Sequence, residues 1–319
     1  MDKIEHSTVS ANGINIHVAA VGPRDAPAVL FLHGFPELWY SWRHQMISLS
    51  SLGYRCIAPD LRGFGDSDAP ESPDEYTMLH VVGDVIGVMD AAGVGKVFLV
   101  GHDWGAIVAW SVCLFRPDRV TALVNTSVVF QPRNPGMKPV DMFKNLFGDD
   151  YYLCRFQVPG EAEEDFSRAD TAKLIKTFLT GRSPKPPCIP KEVGFAGLSQ
   201  RHVEMPAWLT EEDVAYYADK FSKKGFTGGL NYYRAMNKTW ELTAAWNGAQ
   251  IMVPVKFVVG DLDLTYHIPG VKQLLHEGGL KRFVPFLEEV VVMEDTAHFL
   301  QQEKPDEVTA HIYDFIKKF

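Results

Sequence analysis

Residues 97 to 110 read VFLVGHDWGAIVAW, an apolar run that passes through GHDWG into a second apolar run. The first run is typical of a buried strand and the second of a buried helix. Glycines at 101 and 105 suit a turn too tight for a Cβ at either place, and such a turn pushes its apical side chain into a pocket. The apex is Asp103. The sequence therefore predicts a sharp strand–turn–helix that presents a carboxylate.

An aspartate at this apex limits the chemistry that the turn can perform. A serine could attack an acyl carbon to give an ester that water cleaves, but at a saturated carbon it would form an ether, which is a dead end. A carboxylate that attacks a saturated carbon forms an alkyl ester, which water can open at the enzyme's own carbonyl carbon. Asp103 thus favours an enzyme that opens C–O or C–halogen bonds at saturated carbon.

The composition is that of an ordinary globular protein, since 46% of the 319 residues are hydrophobic and 22% are charged. A net charge of -9 argues against a nucleic-acid binder, because phosphate backbones are held by clusters of Lys and Arg. The chain has no stretch near the roughly 20 apolar residues of a membrane span, and its polar start lacks the apolar core of a secretory signal. The four cysteines are widely spaced, which is typical of reduced thiols, so we expect a cytoplasmic protein. They are Cys56, Cys113, Cys154 and Cys188.

Short apolar runs alternate with helical patterns up to about residue 130, and the strand pattern returns near residue 254. Strands of this kind are buried on both faces, so they predict an α/β fold with a mostly parallel sheet covered by helices. The predicted strands are Ile14–Ala20, Val29–Leu32, Arg55–Ala58, Val97–Val100, Ala122–Thr126, Pro254–Gly260 and Val290–Met293, and the predicted helices are Met78–Ala92, Gly105–Phe115 and Glu307–Lys318.

Residues 131–248 differ in texture from the rest of the chain. The strand-like runs vanish there, and helical patterns, proline-rich loops and many aromatic residues replace them. The sequence predicts a core built from residues 1–130 and 249–319, with a helical cap inserted at 131–248. Asp103 would lie at the carboxyl end of a central strand, where such sheets place their ligands.

An alkyl ester on Asp103 needs an activated water, and the usual base near neutral pH is a histidine. His298 follows the last predicted strand, so it should emerge at the same edge of the sheet. Asp263 follows the preceding strand, and it is the preferred acid to orient the histidine. Asp261 is the alternative for that role.

An oxyanion hole is predicted from the HGFP turn at 33–36, which follows another buried strand. Such a turn can aim the backbone N–H of Phe35 at the pocket, and the N–H of Trp104 would supply the second donor. These two donors would stabilise the tetrahedral oxyanion that forms when water attacks the ester.

The chain resembles the soluble epoxide hydrolases of the α/β-hydrolase superfamily, and most closely the plant cytosolic ones, over almost its whole length. The segments that carry the resemblance are HGFPE at 33–37, DLRGFGDS at 60–67, GHDWG at 101–105, RFQVPG at 155–160, NYYR at 231–234 and AHF at 297–299. The resemblance implies that an epoxide and water are the substrates and that neither a metal nor an organic cofactor is needed.

The resemblance also assigns two tyrosines of the cap, Tyr152 and Tyr233, to the epoxide oxygen. A phenol, with a pKa of about 10, stays protonated at neutral pH and can donate to a leaving alkoxide. Adjacent Tyr151 and Tyr232 are the alternatives if the helical phase differs by one residue. The resemblance further suggests that Glu37 and His102 hold the hydrolytic water, and a purely structural role is the alternative for both.

Two other functions share parts of this pattern. A haloalkane or haloacetate dehalogenase has the same fold and aspartate, and it stabilises halide with indole N–H groups, for which Trp104, Trp208 and Trp240 are available. A small-molecule receptor on the same scaffold would bind without turnover, but a pure binder need not keep Asp103, Asp263 and His298 together. The aromatic-rich cap predicts an apolar pocket, and we expect a monomer or a weak homodimer.

Overall fold

The computed structural model describes residues 3–199 and 203–319. Within these ranges the chain forms an eight-stranded sheet in the order β1-β2-β4-β3-β5-β6-β7-β8. Its strands are β1 Glu5–Ala11, β2 Ile14–Val21, β3 Ala28–Leu32, β4 Arg55–Pro59, β5 Val97–His102, β6 Val120–Thr126, β7 Val255–Gly260 and β8 Leu287–Met293. The β1–β2 and β2–β4 pairs are antiparallel, and the pairs from β4 to β8 are all parallel. The expected α/β fold with a mostly parallel sheet is confirmed.

The central strands of the sheet are buried because both of their faces are apolar. All residues of β3 and β5 are buried, which matches the apolar runs AVLFL of β3 and VFLV at the start of β5. The edge strand β1 was not predicted, since its sequence EHSTVSA is largely polar and exposed. Asn12 and Gly13 both have positive φ and join β1 to β2 in a tight hairpin. The Asn-Gly pair is therefore the sequence feature that indicates this hairpin, since the strand itself has no apolar pattern.

The helices fall into three groups along the chain. The first three are α1 Arg43–Ser51, α2 Met78–Ala91 and α3 Trp104–Phe115. Those between β6 and β7 are α4 Pro139–Phe147, α5 Tyr152–Arg155, α6 Glu161–Ser167, α7 Thr171–Leu179, α8 Gly194–Leu198, α9 Glu211–Lys224, α10 Thr227–Arg234 and α11 Met236–Leu242. The last are α12 Val271–His276, α13 Leu300–Glu303 and α14 Pro305–Ile316, and short 3₁₀ turns span Trp39–Trp42, Pro73–Tyr76, Pro117–Arg119, Ala244–Trp246, Leu264–His267 and Leu280–Arg282.

Each predicted strand and helix is present, and the ends differ from the prediction by three residues or fewer. None of the helices in the described ranges combines the length and the hydropathy of a membrane span.

The helices between β6 and β7 lie against the loop that follows β4. A Cβ on Gly228 of α10 would lie 2.3 Å from the carbonyl oxygen of Gly63, so only glycine permits this approach. The hydroxyl of Tyr232 donates to the carbonyl of Arg62 at 3.1 Å. On α9, Asp213 forms a buried ion pair of 2.9 Å with Arg43. The contacts of Gly228 and Tyr232 hold α10 at the carboxyl edge of the parallel strands, and the ion pair joins α9 to α1.

Candidate active site

Asp103 lies at the apex of the turn between β5 and α3. Its backbone has φ 52° and ψ -120°, a conformation that non-glycine residues rarely adopt. A Cβ on Gly105 would lie 2.0 Å from the carbonyl oxygen of Leu32, and one on Gly101 would lie 2.5 Å from the carbonyl oxygen of Gly105. Glycine at both positions therefore lets the turn pack closely against β3 and against the first turn of α3, as the spacing of the two glycines in the sequence indicates.

The two oxygens of the Asp103 carboxylate face different partners. The backbone N–H of Phe35 donates to Oδ1 at 2.7 Å. The Nε2 of His298 lies 3.4 Å from Oδ2. Trp104 begins α3, so its N–H has no acceptor within the helix and is available to an oxyanion. The turn at 33–36 and the start of α3 thus meet at this carboxylate.

His298 lies between two carboxylates. Its Nδ1 is 3.0 Å from Oδ1 and 3.1 Å from Oδ2 of Asp263, on the side opposite Asp103. Asp263 is fully buried, and the backbone N–H of Thr265 donates to it at 2.8 Å. The alternative acid, Asp261, instead accepts a hydrogen bond of 3.1 Å from the backbone N–H of Thr296. The structure therefore brings Asp263, and not Asp261, to the histidine.

The charges of these three groups stabilise one another. Burial opposes the ionisation of Asp103 and Asp263, but the charge and hydrogen bonds of His298 outweigh it and lower the pKa of both carboxyl groups. Burial likewise disfavours the imidazolium, yet the two carboxylates raise the pKa of His298 well above 6.5. The two carboxylates thus favour the protonated form of His298.

Glu37 and His102 are fully buried behind the histidine. His102 lies 2.7 Å from Glu37 through Nδ1 and 2.7 Å from the carbonyl oxygen of His298 through Nε2. Gln301, which the sequence reasoning missed, donates to Glu37 at 2.6 Å. A polar pair just after the histidine, Gln301 and Gln302, was the available signal. These contacts fix the backbone of His298, and a role in holding water stays a prediction.

Tyr152 and Tyr233 line the same cavity as Asp103. Their rings meet edge to face with centroids 5.9 Å apart, and the ring of Tyr233 lies against Trp104 at 4.9 Å. Burial is the main cause that raises the pKa of both phenols well above 10, and the negative charge of Asp103 adds to it. Both phenols are therefore protonated at neutral pH.

The neighbouring tyrosines also line the cavity but differ in their surroundings. The hydroxyl of Tyr232 is engaged by the carbonyl of Arg62. The ring of Tyr151 lies against Phe143 and Phe147, with centroids 5.7 and 4.5 Å away. Burial raises the pKa of the Tyr151 phenol, and a hydrogen bond with Tyr152 acts in the opposite direction. The charge of Asp103 raises the pKa of Tyr152 and of Tyr233, but it is not among the groups that shift the pKa of Tyr151 or Tyr232.

The cavity in front of Asp103 has a volume of about 280 Å³ and a mainly apolar lining. Such a lining suits an apolar or amphipathic ligand. Among the described residues, the side chains that could share one metal ion are His17, Asp60 and Asp66, which lie outside this cavity.

Comparisons with known proteins agree on one family. A family model described as the alpha/beta hydrolase fold matches residues 27–305. The chain is 64% identical to epoxide hydrolase 3 of Siraitia grosvenorii over the full length of both chains, and 36% identical to epoxide hydrolase A of Mycobacterium tuberculosis over 97% of this chain and 96% of that protein.

Solved structures extend the similarity to three dimensions. A crystal structure of an epoxide hydrolase from Vigna radiata matches with a TM-score of 0.94 and 57% identity, over 100% of this chain and 99% of that one. A histidine mutant of potato epoxide hydrolase matches with a TM-score of 0.94 and 53% identity, over 99% of this chain and 100% of that one.

Proposed function

The chain belongs to the α/β hydrolase fold family and is an epoxide hydrolase, and we propose that it opens its substrate through an alkyl ester on Asp103. The overall reaction adds water to an epoxide and gives a vicinal diol. The observation that carries the mechanism is the placement of Asp103, which has His298 at 3.4 Å and shares its cavity with Tyr152 and Tyr233. A nucleophile, a base and two acids are thus within one site.

In the first step Asp103 attacks one carbon of the epoxide ring. A bond forms between the carboxylate oxygen and that carbon, the C–O bond breaks, and its electron pair passes to the epoxide oxygen. That oxygen would leave as an alkoxide, which is more basic than a phenolate even when the phenol is buried. Tyr152 and Tyr233 donate hydrogen bonds to it, and one of them transfers its proton. The products of this step are an ester, an alcohol and a tyrosinate.

The ester then changes the acidity of His298. Alkylation removes the negative charge of Asp103, which is one of the two carboxylate charges that raise the pKa of the histidine. The imidazolium therefore gives up its proton more readily, and the tyrosinate is there to accept it. Neutral His298, still oriented by Asp263, is the base that the second step needs.

In the second step a water molecule attacks the ester carbonyl of Asp103. His298 takes a proton from the water, and the N–H groups of Phe35 and Trp104 stabilise the oxyanion. Collapse of this intermediate breaks the bond between the carbonyl carbon and the diol oxygen. The leaving alkoxide takes the proton of the hydroxyl group that the water supplied to Asp103, so the diol is released, Asp103 is again a carboxylate and His298 is an imidazolium. One water is consumed in the cycle, and no proton need be exchanged with the solvent.

Several other predictions belong to the same proposal. Residues 131–248 act as a cap that carries Tyr152 and Tyr233 over the core formed by 1–130 and 249–319. Glu37 and His102 support the hydrolytic half of the reaction. The enzyme acts in the cytoplasm as a monomer or weak homodimer, without a metal or an organic cofactor.

The surroundings of Trp240 and Trp208 support a dehalogenase less well than an epoxide hydrolase. The Nε1–H of Trp240 donates to the carbonyl of Asn134 at 2.7 Å, so it is engaged, and Trp208 does not line the cavity. A receptor without turnover would not need Asp103, His298 and Asp263 to lie in contact, so their arrangement argues against that function.

The experiment is to incubate the purified protein with styrene oxide and, separately, with a haloalkane. We expect diol from the epoxide and no halide, and loss of the diol in the Tyr152→Phe/Tyr233→Phe double variant. Halide release that does not depend on the tyrosines would instead make the protein a dehalogenase. Absence of both products would favour the receptor.

A further inference from the structure

The cavity has a second charged group besides the nucleophile. Of the described residues that line it, only Asp103 and Arg133 carry a full charge. Arg133 follows β6 in the loop that enters the helical segment, and it is partly exposed. A guanidinium beside an otherwise uncharged, mainly apolar cavity favours the binding of an anion, because the charge is most stable when it is paired.

The cavity extends along α3. Its lining residues on that helix run from Trp104, next to Asp103, to Phe115, roughly 16 Å apart along the helix axis, and they are Trp104, Ile107, Trp110, Ser111, Leu114 and Phe115. The opposite wall runs along α10 and α11.

That second wall contains Tyr233 on α10 and continues through Met236 to Trp240 on α11. Arg133 lies against Trp240, with its guanidinium carbon 4.2 Å from the ring centroid. The mainly apolar cavity is therefore lined by the carboxylate of Asp103 and by a guanidinium that lies against Trp240.

The guanidinium of Arg133 is held in place but not neutralised. Its Nε donates to the carbonyl of Trp240 at 2.9 Å, and the indole of Trp240 covers one face. Among the described residues its two Nη groups have no hydrogen-bond acceptor and no carboxylate partner. Nearby Lys138 differs, because it pairs with Glu241 at 3.0 Å. An oriented guanidinium with free Nη groups matches the geometry of a carboxylate.

We propose that Arg133 forms an anion subsite that binds the terminal carboxylate of a long-chain epoxide while the epoxide lies at Asp103. The inference rests on the proposed function, since it places the reactive group of the substrate at the nucleophile. It adds a second recognition element in the same cavity: the apolar lining accepts the chain, and the charge selects chains that end in a carboxylate.

The first test measures binding without any reaction. A saturated long-chain carboxylate and its methyl ester are titrated into the wild-type protein, into Arg133→Gln and into Lys138→Gln, which removes a neighbouring charge that is already paired. We expect the wild type to bind the carboxylate about tenfold more tightly than the ester, because a partly exposed charge-assisted pair contributes on this scale. Arg133→Gln should abolish the preference, and Lys138→Gln should keep it.

The second test measures the ratio of KM values for a long-chain epoxide that ends in a carboxylate and for its methyl ester. In Arg133→Gln the preference for the acid should fall about tenfold, mainly through KM. Arg133→Lys should retain part of it, because the charge remains while the planar fork is lost. An equal rise in KM for acid and ester would mean that Arg133 only supports Trp240, which would overturn the subsite.

The two proposals fail in different ways. If the wild type forms no diol from styrene oxide, the proposed function is wrong, but the binding preference can still be measured. If diol forms and the wild type binds the carboxylate no more tightly than the methyl ester, the anion subsite is wrong and the proposed function stands.

Discussion

The strand-end loops and the helical segment build opposite sides of one cavity in different ways. On the sheet side, Asp103, Asp263 and His298 follow the strands β5, β7 and β8, and their positions are set by backbone geometry and short hydrogen bonds. On the helical side, Tyr152 and Tyr233 belong to different helices, and their positions are set by the packing of aromatic rings.

The difference separates two halves of the chemistry. In the proposed mechanism, the sheet side holds the charged groups that break the ester, and the helical side holds the neutral acids that assist the opening of the ring. Substitutions on the two sides should therefore stop the reaction at different stages, and the stage at which each variant stops can be measured.

The largest effect is expected on the sheet side from His298→Gln. Without a base, water cannot be activated, so the ester should accumulate while its hydrolysis slows by about 10³-fold. Mass spectrometry of the intact protein would show the added mass of the substrate. A His298→Gln protein that turns over without accumulating an ester would contradict the assigned role.

Two aspartates follow β7, and replacing each of them in turn tests which one supports His298. Asp263→Asn removes the buried partner of Nδ1 and should also slow ester hydrolysis, by about 10²-fold or more. Asp261→Asn removes only an acceptor for the N–H of Thr296, and we expect turnover within about threefold of wild type. Equal losses of turnover in the two variants would contradict the assignment of Asp263, rather than Asp261, as the acid that orients His298.

On the helical side, Tyr152→Phe and Tyr233→Phe should slow formation of the ester rather than its hydrolysis. Each phenol contributes one donor to the alkoxide, so we expect losses of about 10²-fold for each single change and more for both. Rapid mixing with substrate under single-turnover conditions separates the two steps. Tyr151→Phe and Tyr232→Phe are the controls, and a greater loss of ester formation in either control would shift the role to the neighbour.

A smaller effect is expected in the pH dependence of stability. The pKa of His298 is raised in the folded protein, so its stabilising contribution is complete below its unfolded pKa of about 6.5 and is lost as pH rises through the folded pKa. Asp103→Asn removes one cause of the shift. The difference in unfolding free energy between wild type and Asp103→Asn should therefore be largest below about pH 6.5 and shrink as pH rises.

Denaturant unfolding from pH 6 to 9.5 measures this difference. Repeating the Asp103→Asn comparison in the His298→Gln background supplies the control, because the titrating partner is then absent. A difference that changes with pH as strongly in that background would exclude the pairing of Asp103 with His298 as its cause.

The sheet side of the site could be predicted from local sequence because each of its residues is marked by the strand before it. An apolar run followed by GHDWG specifies a turn, whatever surrounds it, and the structure brings Asp103 and His298 together at that edge. Asp263 and Asp261 were harder to separate, because both follow β7. Only the tertiary contacts of His298 and Thr296 distinguish them.

The helical side was less accessible to prediction. Tyr151 and Tyr152 are adjacent on a short helix, so periodicity cannot say which one faces Asp103. Arg133 lies in a loop with no periodic pattern. Its proposed role depends on its contact with Trp240, which is 107 residues further along the chain. Contacts of this kind come from packing between segments, which the local pattern does not encode.

The covalent ester on Asp103 is tested most directly by a single turnover in water enriched in oxygen-18, with enzyme in excess over the epoxide. Water that attacks the ester carbonyl leaves its oxygen on the enzyme, so the peptide that contains Asp103 should gain one heavy oxygen and the first diol should contain none. A first-turnover diol that carries the heavy oxygen, with an unlabelled Asp103, would show direct attack of water on the epoxide and contradict the mechanism.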